Sequence, residues 1–87
     1  MSRFIPLDEI HEKEYRLLLG RLIQARLDAG MTQVEVAQKL GKPQSFVSRS
    51  ETGVRRIDAI ELKAFAAIYG LSFDYFVEGD PSKNRYD

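Results

Sequence analysis

The sequence predicts a small all-α domain of five helices, and two patterns along the chain support that prediction. Apolar residues recur at helical spacing, as at Leu18, Leu22 and Ala25. Glycines follow the ends of these stretches and small polar residues precede the next ones, which is typical of helix boundaries. No alternation of apolar and polar residues is long enough to build a sheet, and the chain has no internal repeats.

The first helix is expected over about residues 9–29, with Asp8 as its N-cap and Gly30 just after its end. Its core stripe consists of Tyr15, Leu18, Leu22, Ala25 and Ala29. Residues 1–8 are expected to form an arm, whose apolar side chains pack either on the domain or on a partner.

A second apolar stripe on this helix contains Leu19, Ile23 and Leu27. One interpretation is a single wide buried arc, which is normal for the central helix of a small bundle. The other is surplus apolar surface that meets another chain. The sequence leaves both interpretations open.

Residues 32–53 predict two short helices joined by a tight turn. Thr32 and Glu35 have the spacing of a capping box, in which each side chain bonds the backbone of the other. Gly41 suits a left-handed turn, and Pro43 suits the first turn of a new helix. Gly53 is expected to end that second helix. The pair is therefore expected to cross steeply, as in a helix-turn-helix.

Eight residues of this stretch stand in the register of a known motif: Thr32, Gln33, Ala37, Gly41, Val47, Ser48, Glu51 and Gly53. With these residues the stretch resembles the helix-turn-helix of the lambda-repressor-like proteins, the XRE or Cro and phage-repressor family. The resemblance covers about residues 18–77 and departs from the family at Lys42 and Ser50, which are usually apolar positions. It implies a compact five-helix DNA-binding domain over residues 9–77, in which Arg26 forms a structural ion pair with Glu51.

The fourth helix is expected over about residues 59–69, with Asp58 as its N-cap and Gly70 at its end. It is apolar on two sides, and such a helix is expected to be buried all round, with one of its faces covered from outside this small domain. Ser72 is expected to cap a last helix over about residues 73–77, followed by a polar tail over residues 78–87. One stripe of the fourth helix holds Leu62, Phe65, Ala66 and Tyr69, the other Ile60, Ala64, Ala67 and Ile68, and Leu71, Phe73 and Phe76 are expected to close the core.

Composition excludes several classes of protein. The 87 residues suffice for one small domain, and the lack of cysteine rules out disulfides and thiolate metal sites. No apolar run is long enough to span a membrane, so a cytoplasmic protein is expected. The 13 basic and 13 acidic side chains cancel, yet residues 32–56 carry a net charge of +3 while residues 1–14 and 74–87 each carry −2. The basic middle of the chain fits a polyanionic partner better than the neutral total does.

The second helix of the motif carries polar side chains suited to reading base edges. Short polar groups near a helix N-terminus and a longer one a turn later can enter the major groove, where glutamine pairs with adenine and arginine with guanine. The residues expected to contact bases are Gln44, Ser45, Ser48 and Arg49. Phosphate contacts are expected from Lys42, Arg55 and Arg56, and the resemblance implies another from Gln33, whose side chain would also orient the reading helix.

The leading hypothesis is a sequence-specific DNA-binding regulator that binds double-stranded DNA as a homodimer, because one reading helix buries too little surface for specificity. The candidate dimer interface consists of Ile60, Ala64, Ala67, Ile68, Leu19, Ile23 and Leu27. The alternative is an antitoxin-like module that binds a partner protein such as a toxin and autoregulates its operon. With one histidine and no phosphate-binding glycine loop, the sequence predicts no enzyme, no metal site and no cofactor.

Overall fold

The computed structural model of the protein describes residues 7–79, which contain five α-helices and no strand. In chain order these are α1 (Leu7–Asp28), α2 (Gln33–Leu40), α3 (Gln44–Thr52), α4 (Ala59–Tyr69) and α5 (Phe73–Glu78). The all-α prediction and the number of helices are confirmed. The packing of residues 1–6 and the tail over residues 80–87 lie outside the described residues.

Local signals set most of the helix ends. Thr32 and Glu35 form the predicted capping box on α2, and Asp58 with Glu61 forms a second one on α4. Gly41 ends α2 in the left-handed region at φ 68°, which favours a residue without a Cβ. Gly70 ends α4 in the same way, at φ 68°. Because the caps satisfy the backbone groups at the helix ends, one short helix can end and the next can begin only a few residues later.

Two predicted boundaries were wrong. Asp8 is not the N-cap of α1, because the helix already includes Leu7. Pro43 is the N-cap of α3 rather than its first helical residue, with an extended backbone at φ −67° and ψ 157°. A proline suits that position because the chain turns there without needing an amide donor.

All five helices contribute to one core. The largest buried side chains are Phe65 on α4, Phe76 on α5 and Leu22 on α1, each fully enclosed. From the helix-turn-helix, Val36 and Ala37 on α2 and Val47 on α3 close the same cluster. The core therefore fixes α3 through one of its faces and leaves the opposite face outward.

Within residues 7–79 only one of the two apolar stripes of α4 is covered, and cover for the other stripe from outside the domain stays a prediction. The stripe of Leu62, Phe65 and Ala66 is buried, but Ile60 is 74% exposed and Ala67 is exposed as well. The expectation that Leu71 and Phe73 close the core was wrong, because both are more than a third exposed. The domain is too small to cover these side chains from every direction.

Candidate nucleic-acid interface

The face of α3 that points outward carries the residues expected to read DNA. Gln44, Ser45 and Arg49 are exposed and Ser48 is half-buried, whereas Val47 lies in the core on the opposite face. Within residues 7–79, no side-chain hydrogen bond occupies Ser45, Ser48 or Arg49. Their polar atoms are therefore free to meet a ligand.

Gln44 differs from its neighbours because its side chain is held within the chain. Its Nε2 donates a hydrogen bond of 2.7 Å to Oε1 of Gln33, the first residue of α2. Nε2 of Gln33 in turn donates a bond of 2.9 Å to Oε1 of Glu51. This leaves Oε1 of Gln44 as an acceptor and one of its N–H groups as a donor. Gln44 is thus oriented without losing all of its capacity to bind a base.

The hydrogen bonds from Gln44 through Gln33 lead to Glu51, which forms a buried ion pair with Arg26 between α3 and α1. Nε and Nη2 of Arg26 lie 2.7 and 3.1 Å from the two carboxylate oxygens of Glu51, a bidentate geometry. Nη1 of Arg26 also donates to the carbonyl of Met31, which fixes the loop before α2. The hydrogen bond with Glu51 raises the pKa of Arg26 above its ordinary value. Arg26 therefore connects α1 both to α3 and to the loop before α2.

The basic residues around the motif are in different surroundings. Arg56 is exposed and places its guanidinium 4.8 Å from the ring centre of Tyr15. Lys42 is exposed in the turn, with Nζ 5.5 Å from the ring centre of Phe46. These two cations keep their polar ends towards solvent, where a phosphate can reach them.

Arg55 is already engaged. Its Nη1 and Nη2 donate to the two carboxylate oxygens of Glu61 at 2.9 and 2.5 Å, and its guanidinium lies 4.1 Å from the ring centre of Phe46. The hydrogen bond from Arg55 holds the pKa of Glu61 below its ordinary value. A phosphate contact of Arg55 would therefore have to compete with an internal carboxylate.

Sequence reasoning missed the roles of Glu61 and Tyr15. The spacing from Asp58 to Glu61 is that of a capping box and would have placed Glu61 at the start of α4, but not its arginine partner. The hydroxyl of Tyr15 accepts a hydrogen bond of 2.9 Å from the backbone N–H of Ile57. No sequence pattern signals that bond, since it joins residues 42 positions apart.

The residues expected at a dimer interface are divided among separate surface hollows. Leu19 lines one with Gly53, Leu27 lines another with Val34 beside α2, and Ile60 and Ala64 line a third next to the ring of Phe46. Ile68 packs against the core, and Ile23 is half-buried. Ile60 and Ala67 on α4 are exposed. These seven residues therefore do not line one shared hollow.

Nothing within residues 7–79 resembles a metal or membrane site. No group of three or more histidine, cysteine or acidic side chains could hold a metal ion there. No helix in the same range is long and apolar enough to cross a bilayer. His11 stacks on Tyr15 at a ring distance of 5.6 Å, which accounts for the one histidine of the chain.

Comparisons with known proteins agree with this geometry. A family model described as helix-turn-helix matches residues 22–76, and no curated protein matches the sequence. Among solved structures, an XRE-family like protein from Pseudomonas syringae pv. tomato str. DC3000 is similar, with 42% sequence identity and a TM-score of 0.76. The alignment covers 82% of this chain and 87% of that chain. The chain therefore belongs to the XRE family of helix-turn-helix DNA-binding regulators.

Proposed function

We propose that the protein is a sequence-specific regulator in the cytoplasm that reads the major groove of double-stranded DNA with α3. The observation that carries this proposal is the outward face of α3, where Gln44, Ser45 and Arg49 are exposed at the start and middle of a helix. An α-helix fits the major groove, and side chains of these types match the base edges displayed there. Base contacts are assigned to these three residues and, from its half-buried position, to Ser48.

Phosphate contacts set the position of α3 on the duplex. Gln33 is the first residue of α2, where backbone N–H groups and the helix dipole favour an anion. Lys42 and Arg56 supply exposed cations before and after α3. Arg55 is a further phosphate contact once it leaves Glu61. These contacts supply affinity that is independent of sequence and falls as salt rises.

The recognition unit is a homodimer in this proposal. One reading helix cannot discriminate a site within a genome, whereas two copies spaced one turn of DNA apart, about 34 Å, can do so. The exposed apolar side chains of Ile60 and Ala67 on α4 are the proposed contact with the second copy. Burying them would remove apolar surface that the single chain leaves in water.

Selection of bound sites from random duplex DNA tests the reading face. Arg49→Ala should relax the selected motif at discrete positions, by about 1–3 kcal/mol for a bidentate base contact. Lys13→Ala on α1 is the matched control, since Lys13 is an exposed cation outside the motif and outside the proposed dimer contact. If Arg49→Ala selects the same motif as the wild type, the assignment of the reading face is wrong.

Sedimentation tests the dimer. Ile60→Glu should shift the protein towards a monomer, because a buried carboxylate without a partner opposes association. Lys13→Gln changes the net charge by the same amount at an exposed position on α1 and should leave the oligomeric state unchanged. A wild-type monomer at about 10–100 μM, with no change on adding the selected DNA, would contradict the homodimer; a monomer throughout that range corresponds to association weaker than about −5.5 kcal/mol.

A further inference from the structure

Glu61 lies at the edge of the proposed DNA-binding surface and forms an ion pair with Arg55, one of the cations proposed to bind phosphate. Its carboxylate takes both Nη atoms of Arg55, while Nη1 of Arg55 also donates to the carbonyl of Arg56. Three of the five N–H donors of the guanidinium are used in this way. The paired N–H donors of Arg55, which could bind a phosphate in the same geometry, are therefore occupied by a carboxylate.

The ring of Phe46 packs against the guanidinium of Arg55. Lys42 approaches the same ring. Arg55 is thus held between an aromatic face and a carboxylate, at a loop that directly follows the reading helix. Its side chain is 34% exposed and that of Glu61 is 26% exposed, so the pair is open to an approaching anion.

From this geometry we propose that Glu61 is an intramolecular competitor of the DNA backbone for Arg55. A phosphate that binds Arg55 must either replace Glu61 on the guanidinium or sit beside it, and in the second case the two anions repel each other. Both routes weaken binding to any duplex, because phosphate contacts are the same for every sequence. The inference rests on the proposed DNA-binding function and adds a residue that sets its strength.

The consequence is that Glu61 lowers affinity without altering which bases are preferred. Base contacts are assigned to α3, whereas Glu61 contacts Arg55, which is assigned to the DNA backbone, and caps its own helix. Random DNA is the main competitor in a cell, and its binding depends on the phosphate contacts alone. The protein would then bind a DNA site stably only where the bases of that site also match α3.

The test is a double-mutant cycle on DNA binding with wild type, Glu61→Gln, Arg55→Ala and the double variant. Glutamine has nearly the same shape and retains an oxygen that can accept the backbone N–H of Asp58, so the cap of α4 is kept. Dissociation constants are measured at one salt concentration on the selected duplex and on a random duplex. The Arg55→Ala background shows how much of any effect comes from the loss of a negative charge alone.

Glu61→Gln should tighten binding to both duplexes by about 2- to 5-fold, the range expected when a partly exposed ion pair no longer has to be broken. In the Arg55→Ala background the same change should have less than about half of that effect. Glu61→Ala should also tighten binding, and circular dichroism at the assay temperature verifies that each variant is folded.

Two results would overturn the inference. Equal effects of Glu61→Gln in both backgrounds would mean that Glu61 acts only through its charge. Weaker binding of Glu61→Gln with Arg55 present would mean that Glu61 orients Arg55 towards a phosphate rather than withholding it. If the wild type binds no duplex at all, the proposed function fails together with this inference; if it binds and no coupling appears, only this inference fails.

Discussion

Loss of Arg26 on α1 should destabilise the domain strongly. Glu51 is almost completely buried, with its side chain 3% exposed, and receives two hydrogen bonds from Arg26 and one from Gln33. Arg26→Met would leave the buried carboxylate with Gln33 as its remaining donor within residues 7–79 and would free the carbonyl of Met31. Removing one partner of a buried pair costs about 3–5 kcal/mol. A small domain is stabilised by only about 5–15 kcal/mol in total.

Urea unfolding, followed by circular dichroism at neutral pH, measures this loss. Arg16→Met is the matched control, because Arg16 pairs with Glu12 at the surface of α1, where both side chains are at least 75% exposed. The control should cost less than about 0.5 kcal/mol. The double variant Arg26→Met with Glu51→Met should recover most of the loss, since no charge is then buried without a partner.

The reasoning would be refuted if Arg26→Met cost no more than Arg16→Met. Glu51 would then have to be hydrated in solution, and the ion pair would not hold α1 against α3. An unchanged slope of free energy against urea is also expected, because the substitution should not alter the surface exposed on unfolding.

Three further predictions concern stability. Ser50→Ala should stabilise the fold by about 1 kcal/mol in urea unfolding, because the Ser50 hydroxyl is fully buried and has no hydrogen-bond partner within residues 7–79. A loss of stability would mean that the hydroxyl has a partner in solution. Gly20→Ala should raise stability by about 0.5–1 kcal/mol, since Gly20 lies within α1 and an added Cβ meets no atom within 4 Å; a lower midpoint would contradict this. The lowered pKa of Glu61 means that its pair with Arg55 contributes stability above the ordinary glutamate pKa, about 4.3, and loses it as pH falls through the lowered value. Urea midpoints below that pH should therefore fall less steeply for Glu61→Gln than for the wild type.

The parts of the fold that the sequence predicted depend on neighbouring residues. The capping box of Thr32 and Glu35 and the left-handed Gly41 follow from spacing within a few positions, and both are confirmed. Which of the two apolar stripes of α4 is buried within the domain could not be predicted from the pattern of that helix alone. Two apolar stripes predict two covered faces, but the number of elements available to cover them is a property of the whole domain. Ile60 is exposed for that reason.

For the candidate site, the sequence predicted which residues are exposed but not which of them have partners within the chain. Which residues face outward on α3 follows from helical periodicity, once Val47 is placed inside. Which of them are already occupied does not follow, because the partners of Gln44 and Arg55 come from other helices. A count of basic residues treats Arg55 and Arg56 alike, whereas within residues 7–79 only the first of them pairs with a carboxylate.

The bond from Gln44 to Gln33 has a consequence for how new operators can be recognised over evolutionary time. A substitution at Gln44 disturbs Gln33 and, through it, the carboxylate that secures α1 to α3. Exchanges at Ser45 or Arg49 break no side-chain hydrogen bond within residues 7–79. Paralogues of this regulator should therefore diverge in target preference first at Ser45 and Arg49, with Gln44 and Gln33 changing together or remaining as they are.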